Sequence, residues 1–299
     1  MNKLLEMLQQ DFMLRTLVGT GMVALLCSYL GVFIVLRRAV FVGAALSQVS
    51  SFGVALALWL CGSMGGTAHG ELPWLAHPMA LVLTVGAALV FAAQPRERRL
   101  PRETIIGVAY AAAGALTILV VAVSAGAEAQ VVNLLFGNVL TISDSGIVGL
   151  GVLLLLVGGT HAAFFKEFLF VSFDPDMAQA LGLRARWWNA LLFLTIGLTV
   201  AFTIRAAGAL VVFSFLVLPA ATALLVGGGL RSVWVLAGLA GLVGCVVGIS
   251  VSYVADFPTG PTMVASNTVL LALAALANTV WRRLASRTAS ALHPKKVQL

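Results

Sequence analysis

Val171-Ser172-Phe173-Asp174-Pro175-Asp176-Met177-Ala178-Gln179-Ala180-Leu181-Gly182-Leu183 is a polar island between two long apolar runs, 146–165 and 187–205. Asp174 can cap a helix N-terminus, and Pro175 suits the first helical position, where a missing N–H costs nothing. Gly182 supplies a stop at the other end. The stretch therefore reads as a short capped helix, about 173–183, lying outside a membrane and held by a span on each side. The flanking runs decide the fold. About 20 apolar residues cross a bilayer core, and nine runs of that kind are present: 14–35, 41–60, 78–94, 104–124, 146–165, 187–205, 207–226, 232–254 and 261–281. The sequence predicts an all-α polytopic membrane helix bundle of about nine transmembrane helices, forming a single transmembrane domain over 1–299.

Composition agrees. Hydrophobic residues make up 61% of the chain and charged residues 10%, with a mean hydropathy of +1.04. A soluble domain carries about 25% charged residues. The first run is too long, and too close in kind to the others, to be a cleaved signal peptide. Cys27, Cys61 and Cys245 are far apart and form no metal-ligand spacing, so they read as ordinary membrane-helix residues.

The net charge of +7 finds its explanation in topology. Arg37 and Arg38 follow run one, and Arg96, Arg98, Arg99 and Arg102 follow run three. Lys166, Arg184 and Arg186 follow run five, and Arg231 follows run seven. Arg282, Arg283, Arg287, Lys295 and Lys296 follow run nine. These are most of the basic residues, and all fall on one side. The positive-inside rule makes that side cytoplasmic, with the N-terminus outside and the C-terminus inside. A nucleic-acid partner is excluded on the same ground, leaving membrane lipid as the basic residues' neighbour. The tail at about 284–299 reads as basic and flexible.

On the outer side, residues 61–77 are Gly-rich and carry His69, Glu71 and His77. These three could form an outer metal relay, or simply be loop polarity. The apolar segment Val131–Leu140 is too short to span and suits an interfacial or re-entrant helix. The link Arg205-Ala206-Ala207-Gly208 is so short that its two spans form a tight pair or a broken helix. Arg205 would snorkel to the surface. Pro219 removes a helical hydrogen bond and should kink its span.

Several chemistries are missing. There is no G-x-x-x-x-G-K-[ST] loop, so the chain is not expected to be an enzyme that binds and hydrolyses ATP by itself. There is no H-E-x-x-H, and no span pairs a buried Ser with a His base. No acid sits at mid-membrane, which argues against an ion-driven transporter. In run two, Ala44 shares a helix face with Gln48, and Ser47 with Ser51. Small and hydroxyl residues of this kind form a helix-packing seam or, on the sharper reading, one wall of a translocation path. His161 reads as packed and Asn267 as an interhelical hydrogen bond.

Four segments in order resemble one family. Gly31-Val32-Phe33-Ile34-Val35-Leu36-Arg37-Arg38 with Gly43-Ala44-Ala45-Leu46-Ser47-Gln48 is similar to its "GVFVVLRR…GDALSH" start. Phe173-Asp174-Pro175-Asp176-Met177-Ala178-Gln179-Ala180-Leu181-Gly182 resembles its "FDPELARALG". Gly208-Ala209-Leu210-Val211-Val212 with Leu216-Val217-Leu218-Pro219-Ala220-Ala221, and Asp256-Phe257-Pro258-Thr259-Gly260-Pro261-Thr262, complete the set. The family is the membrane permease of bacterial ABC importers for zinc, manganese and related divalent metals.

The resemblance implies a homodimeric permease in the bacterial cytoplasmic (inner) membrane. Two cytosolic ATPase subunits would bind ATP and Mg, the chain itself holding no cofactor. An extracytoplasmic substrate-binding protein would deliver a divalent metal ion as cargo. The stretch from Phe173 through Asp174, Pro175, Asp176, Ala178 and Leu181 to Gly182 would be the helix coupling the permease to the ATPase. Ala44, Ser47, Gln48, Ser51 and Pro219 would line the translocation path. One departure is informative. The Asp and His of "GDALSH" look like metal ligands, yet Ala44 and Gln48 stand in their places. A divalent ion prefers carboxylate oxygen or imidazole nitrogen. That leaves ligands from elsewhere, selectivity in the binding protein, or another cargo such as a metal chelate or small solute. A non-transporting membrane module is the remaining alternative.

Overall fold

The computed structural model describes residues 11–63, 75–93, 100–124 and 142–292. Among them are eleven helices and no strand: α1 (Asp11–Leu36), α2 (Phe41–Ser63), α3 (Ala76–Ala92), α4 (Arg102–Ala122), α5 (Asp144–Ala163), α6 (Phe165–Phe173), α7 (Pro175–Ala180), α8 (Ala185–Ala207), α9 (Ala209–Val226), α10 (Leu230–Ala255) and α11 (Thr259–Leu292). Eight of them, all but α3, α6 and α7, are long and apolar enough to cross a membrane. The third expected span is α3, apolar but only 17 residues long, about 25 Å at 1.5 Å per residue. Every one of the nine apolar runs is thus a helix.

Two details, in α6–α7 and at the end of α11, differ from the sequence reading. The single helix expected at 173–183 is shorter, α7, and is preceded by a second helix, α6, that the reading had left in the connection after run five. Phe164, with its backbone turned out of the helical region, separates α6 from α5. The α8–α9 link is the broken helix that its length allowed, rather than a tight pair. One residue, Gly208 at φ +86°, joins the two helices, and α9 then packs against α1, α10 and α11 while α8 lies on α3 and α2. The helix of α11 continues to Leu292, well into the stretch expected as a flexible tail. Pro219 is buried inside α9. His69, Glu71 and the segment Val131–Leu140 lie outside the described residues.

Small residues set the packing. A Cβ on Gly31 would collide with the main-chain carbonyl oxygen of Leu216, so α1 touches the backbone of α9 one turn before Pro219. Backbones approach this closely in membrane bundles because lipid tails supply no hydrophobic drive, and close van der Waals contact must hold the helices together. Asn267 departs from its expected role. Its amide donates to the Met263 carbonyl of its own helix at 3.0 Å, and its side chain lies against Gly244 of α10, where a Cβ would overlap it. It fills a groove between α10 and α11, and its hydrogen bond stays within α11.

His161 is fully buried, as the sequence suggested. Its ring stacks on Phe168 at 4.3 Å and meets Tyr29 and Phe33 edge-on at 5.4 and 5.5 Å. Thr195 donates its own hydroxyl proton to the Leu192 carbonyl at 2.8 Å, so its oxygen accepts from His161 Nε2–H at 3.0 Å. The hydrogen-bond network thus assigns the Nε2–H tautomer. Trp188 and Trp234 extend the cluster, which ties α1, α5, α6, α8 and α10 together.

Candidate functional site

The end of the bundle beside this aromatic cluster carries the α6–α7 unit. Asp174 caps α7 as its sequence promised: Oδ1 accepts from the Met177 N–H at 2.9 Å, with Pro175 at the first helical position. The other end closes with two bonds, Gly182 N–H to the Gln179 carbonyl and Leu183 N–H to the Ala178 carbonyl, each 3.0 Å. This is the Schellman pattern, and it needs a left-handed residue, here Gly182 at φ +85°. Both ends are satisfied by the peptide's own atoms, which matters because α7 is only six residues long. Isolated helices shorter than about 12 residues are marginal in water.

Burial divides the residues of α7 by role. Ala178 is fully buried and packs with Val171 and Ala185 into a small satellite core, flanked by Phe170, Leu183 and Trp188. Phe173, Met177 and Leu181 are 56, 54 and 66% exposed. Asp174 and Asp176 are exposed as well. The unit thus presents three large apolar side chains and two carboxylates outward on a base anchored by a methyl group. A shallow depression lined by Leu169, Phe170, Phe173 and Leu183 runs beside it.

Further polar contacts fasten the unit to the spans, and none was foreseen. Arg37, just past the end of α1, donates from Nε to Ser172 Oγ at 3.0 Å and from a terminal nitrogen to Asn189 Oδ1. Asn189 donates in turn to the carbonyl of Ala92, the last residue of α3, at 2.7 Å. Sequence gave no sign of this, because Arg37 and Arg38 look alike as topogenic charges. Arg38 adopts a left-handed backbone (φ +56°) and is exposed.

The path candidates separate. Ser47 and Ser51 are buried, Ser51 donating to the Ser47 carbonyl at 3.1 Å. Ala44 and Gln48 are half-buried, and Gln48 faces Gly114 of α4. The serines are therefore enclosed by the chain's own helices, whereas Ala44 and Gln48 lie on a less enclosed face. Pro219 is buried within α9.

His77, the described member of the proposed outer relay, lines a cavity of about 580 Å³ between α2, α3, α5 and α8. Arg205 lines the same cavity, and a fixed positive charge there opposes a metal cation. Among the described residues no group of three or more His, Cys, Asp or Glu comes together, and no carboxylate is buried.

The sequence matches the profile of the ABC 3 transport family over residues 9–278. The chain belongs to that family. This ABC 3 transport family member is 29% identical over 272 residues to the manganese transport system membrane protein MntC of Listeria innocua, covering 90% of this chain and 92% of that one. It is 26% identical over 264 residues to the manganese import system permease protein ScaB of Streptococcus gordonii, covering 87% and 88%. Its fold resembles PsaBC from Streptococcus pneumoniae, solved in complex with Fab, with a TM-score of 0.76, 23% identity and coverage of 91% and 94%. As a member of the ABC 3 transport family with eight spanning-length helices, the chain is a multi-pass membrane permease.

Proposed function

We infer that this chain is the membrane subunit of an ATP-binding-cassette importer that carries a divalent metal ion, manganese or a similar ion, across the bacterial cytoplasmic membrane. It works as a homodimer. Two cytosolic ATPase subunits bind ATP and Mg, and an extracytoplasmic binding protein supplies the cargo. The permease catalyses no reaction of its own. The observation that carries this reading is the α6–α7 unit: a self-capped helix with apolar and acidic side chains outward, on a chain without a phosphate loop of its own. Family membership, and relatives named for manganese transport, support the cargo. The clustering of Arg37, Lys166, Arg184 and Arg186 around α7 supports a position on the cytoplasmic side, where ATP is.

Mechanically, ATP binding in the partner draws α7 and its base toward a new position. The spans fastened to that base follow, and the cavity opens to the other side. A ligand shifts such an equilibrium only by the difference in its affinity for the two states. The docking contact must therefore differ between them. The test is co-purification of the permease with its ATPase, followed by Asp176→Lys. Charge reversal should leave hydrolysis running and stop Mn²⁺ uptake into proteoliposomes. Normal uptake per ATP in this variant would refute the docking role.

A second reading keeps the machine and changes the cargo to a metal chelate. Ala44 and Gln48, in the place of carboxylate and imidazole, favour it, as does the Arg205 charge in the cavity that His77 also lines. Ala44→Asp combined with Gln48→His separates the two. Raised Mn²⁺ uptake indicates a weakened ion path, and lost function a path adapted to something else.

A further inference from the structure

We propose that Arg37 is the residue through which displacement of the α6–α7 unit, and of the α8 end packed on it, reaches α1 and α3. It is a positioning residue, and it touches neither cargo nor nucleotide. This deepens the reading given under Proposed function and rests on it.

The inference starts from what can move. The α6–α7 unit shares a small core, Val171, Ala178 and Ala185, with the first residue of α8. It can therefore shift together with that end of α8 without being taken apart. Its other ties to the bundle include two of different kinds. Phe168 stacks on His161 and packs edge-on against Phe33 and Trp188. Such ring contacts are dispersive and tolerate sliding. The second tie is directional. Ser172 lies two residues before the Asp174 cap, and its hydroxyl accepts from Arg37 Nε at 3.0 Å while donating to the Phe168 carbonyl at 2.5 Å. The same guanidinium holds Asn189 of α8, and Asn189 holds the last carbonyl of α3.

Arginine suits this position because its planar fork keeps several donors in fixed relative directions. A shift of Ser172 changes the geometry at Arg37 and therefore at Asn189. It cannot be absorbed by rotating one bond, as a lysine could do. The guanidinium is only partly exposed, and hydrogen bonds to a charged donor away from bulk water are stronger than neutral ones. One side chain thus joins the end of α1, the coupling unit and α8 directly, and the end of α3 through Asn189. Arg38, one residue on, is exposed, which makes it the natural control.

The experiment uses the complete complex, permease, ATPase and binding protein, in proteoliposomes. Mn²⁺ uptake and ATP hydrolysis are measured together, with the amount of ATPase co-purifying as a separate readout. Arg37→Gln should still bind the ATPase and hydrolyse ATP, while uptake per ATP falls at least about tenfold. Arg37→Lys should recover part of it, and Arg38→Gln should match wild type. Ser172→Ala removes the Nε partner, along with a bond to the Phe168 carbonyl inside α6, and should lower uptake per ATP without changing assembly.

An Arg37→Gln complex with the wild-type uptake-to-hydrolysis ratio overturns the proposal. So does an Arg37→Gln chain that fails to assemble while Ser172→Ala couples normally, because Arg37 would then be a static brace. Failure of the underlying reading looks different: the wild-type chain itself would show no ATP-dependent uptake.

Discussion

Asp174→Ala tests whether α7 must be preformed as a helix. The wild-type side chain satisfies the Met177 N–H at 2.9 Å, and substituting an N-cap by alanine costs about 1 kcal/mol. At 1.4 kcal/mol per tenfold, that is about a fivefold shift in the local helix equilibrium. A long helix would hide such a loss, but α7 has six residues and few bonds besides its caps. The Met177 amide should exchange with solvent about fivefold faster in Asp174→Ala, and Mn²⁺ uptake per ATP should fall by a similar factor. Asp174→Asn is the discriminating partner. Asparagine caps as well as aspartate, so both readouts should stay at wild type although the charge is gone. If the asparagine variant is as impaired as the alanine variant, the carboxylate acts through its charge and the capping argument is wrong. Unchanged Met177 exchange in Asp174→Ala would refute it more directly.

Gly182→Ala places a Cβ at φ +85°, at a cost of about 1–2 kcal/mol. The Leu183 amide, which bonds the Ala178 carbonyl, should lose protection; if it does not, the Schellman closure is not holding α7. Gly31→Ala forces α1 off the backbone of α9 and should destabilise the detergent-solubilised protein by about 1–3 kcal/mol in thermal unfolding. Gly21→Ala, whose nearest neighbour is a Leu242 methyl at 3.8 Å, should be silent, and equal stability of the two variants would contradict the packing described. His161→Phe keeps the aromatic stack and should cost less than about 1.5 kcal/mol, with Mn²⁺ uptake retained. His161→Ala opens a cavity and should cost about 2–5 kcal/mol. Loss of uptake in a stable His161→Phe protein would make the imidazole functional after all.

Much of this molecule is local, and what is local was legible in the sequence. Whether a run of residues leaves water for lipid depends on its own composition, so each of the nine apolar runs is a helix. The caps of α7 are equally local, being bonds between residues within a few positions of Asp174 and Gly182. The resemblance of the α7 stretch to the family's coupling segment was readable for the same reason. The existence of α6 was missed because its apolar residues blend into run five, and the break at Phe164 has no Pro or Gly to mark it.

Which way a spanning helix faces is decided elsewhere. These helices are apolar all round, so the period of hydrophobicity that reveals the inner face of a soluble helix is nearly absent. Sequence could pair Ala44 with Gln48 and Ser47 with Ser51, yet only the packing of the bundle buries one pair and leaves the other half-buried. Asn267 could have bonded across helices or within its own, and the close approach of Gly244 decides it. The same is true of Arg37 and Arg38. They are adjacent, identical and equally topogenic, but partners 135 and 152 residues away along the chain make one of them a junction. The sequence by itself determined which apolar runs are helical and where the capped helix lies between two of them, because those follow from composition and nearest neighbours. The tertiary structure alone decided how that helix is fastened to the spans, because that depends on side chains which meet only after the bundle has packed.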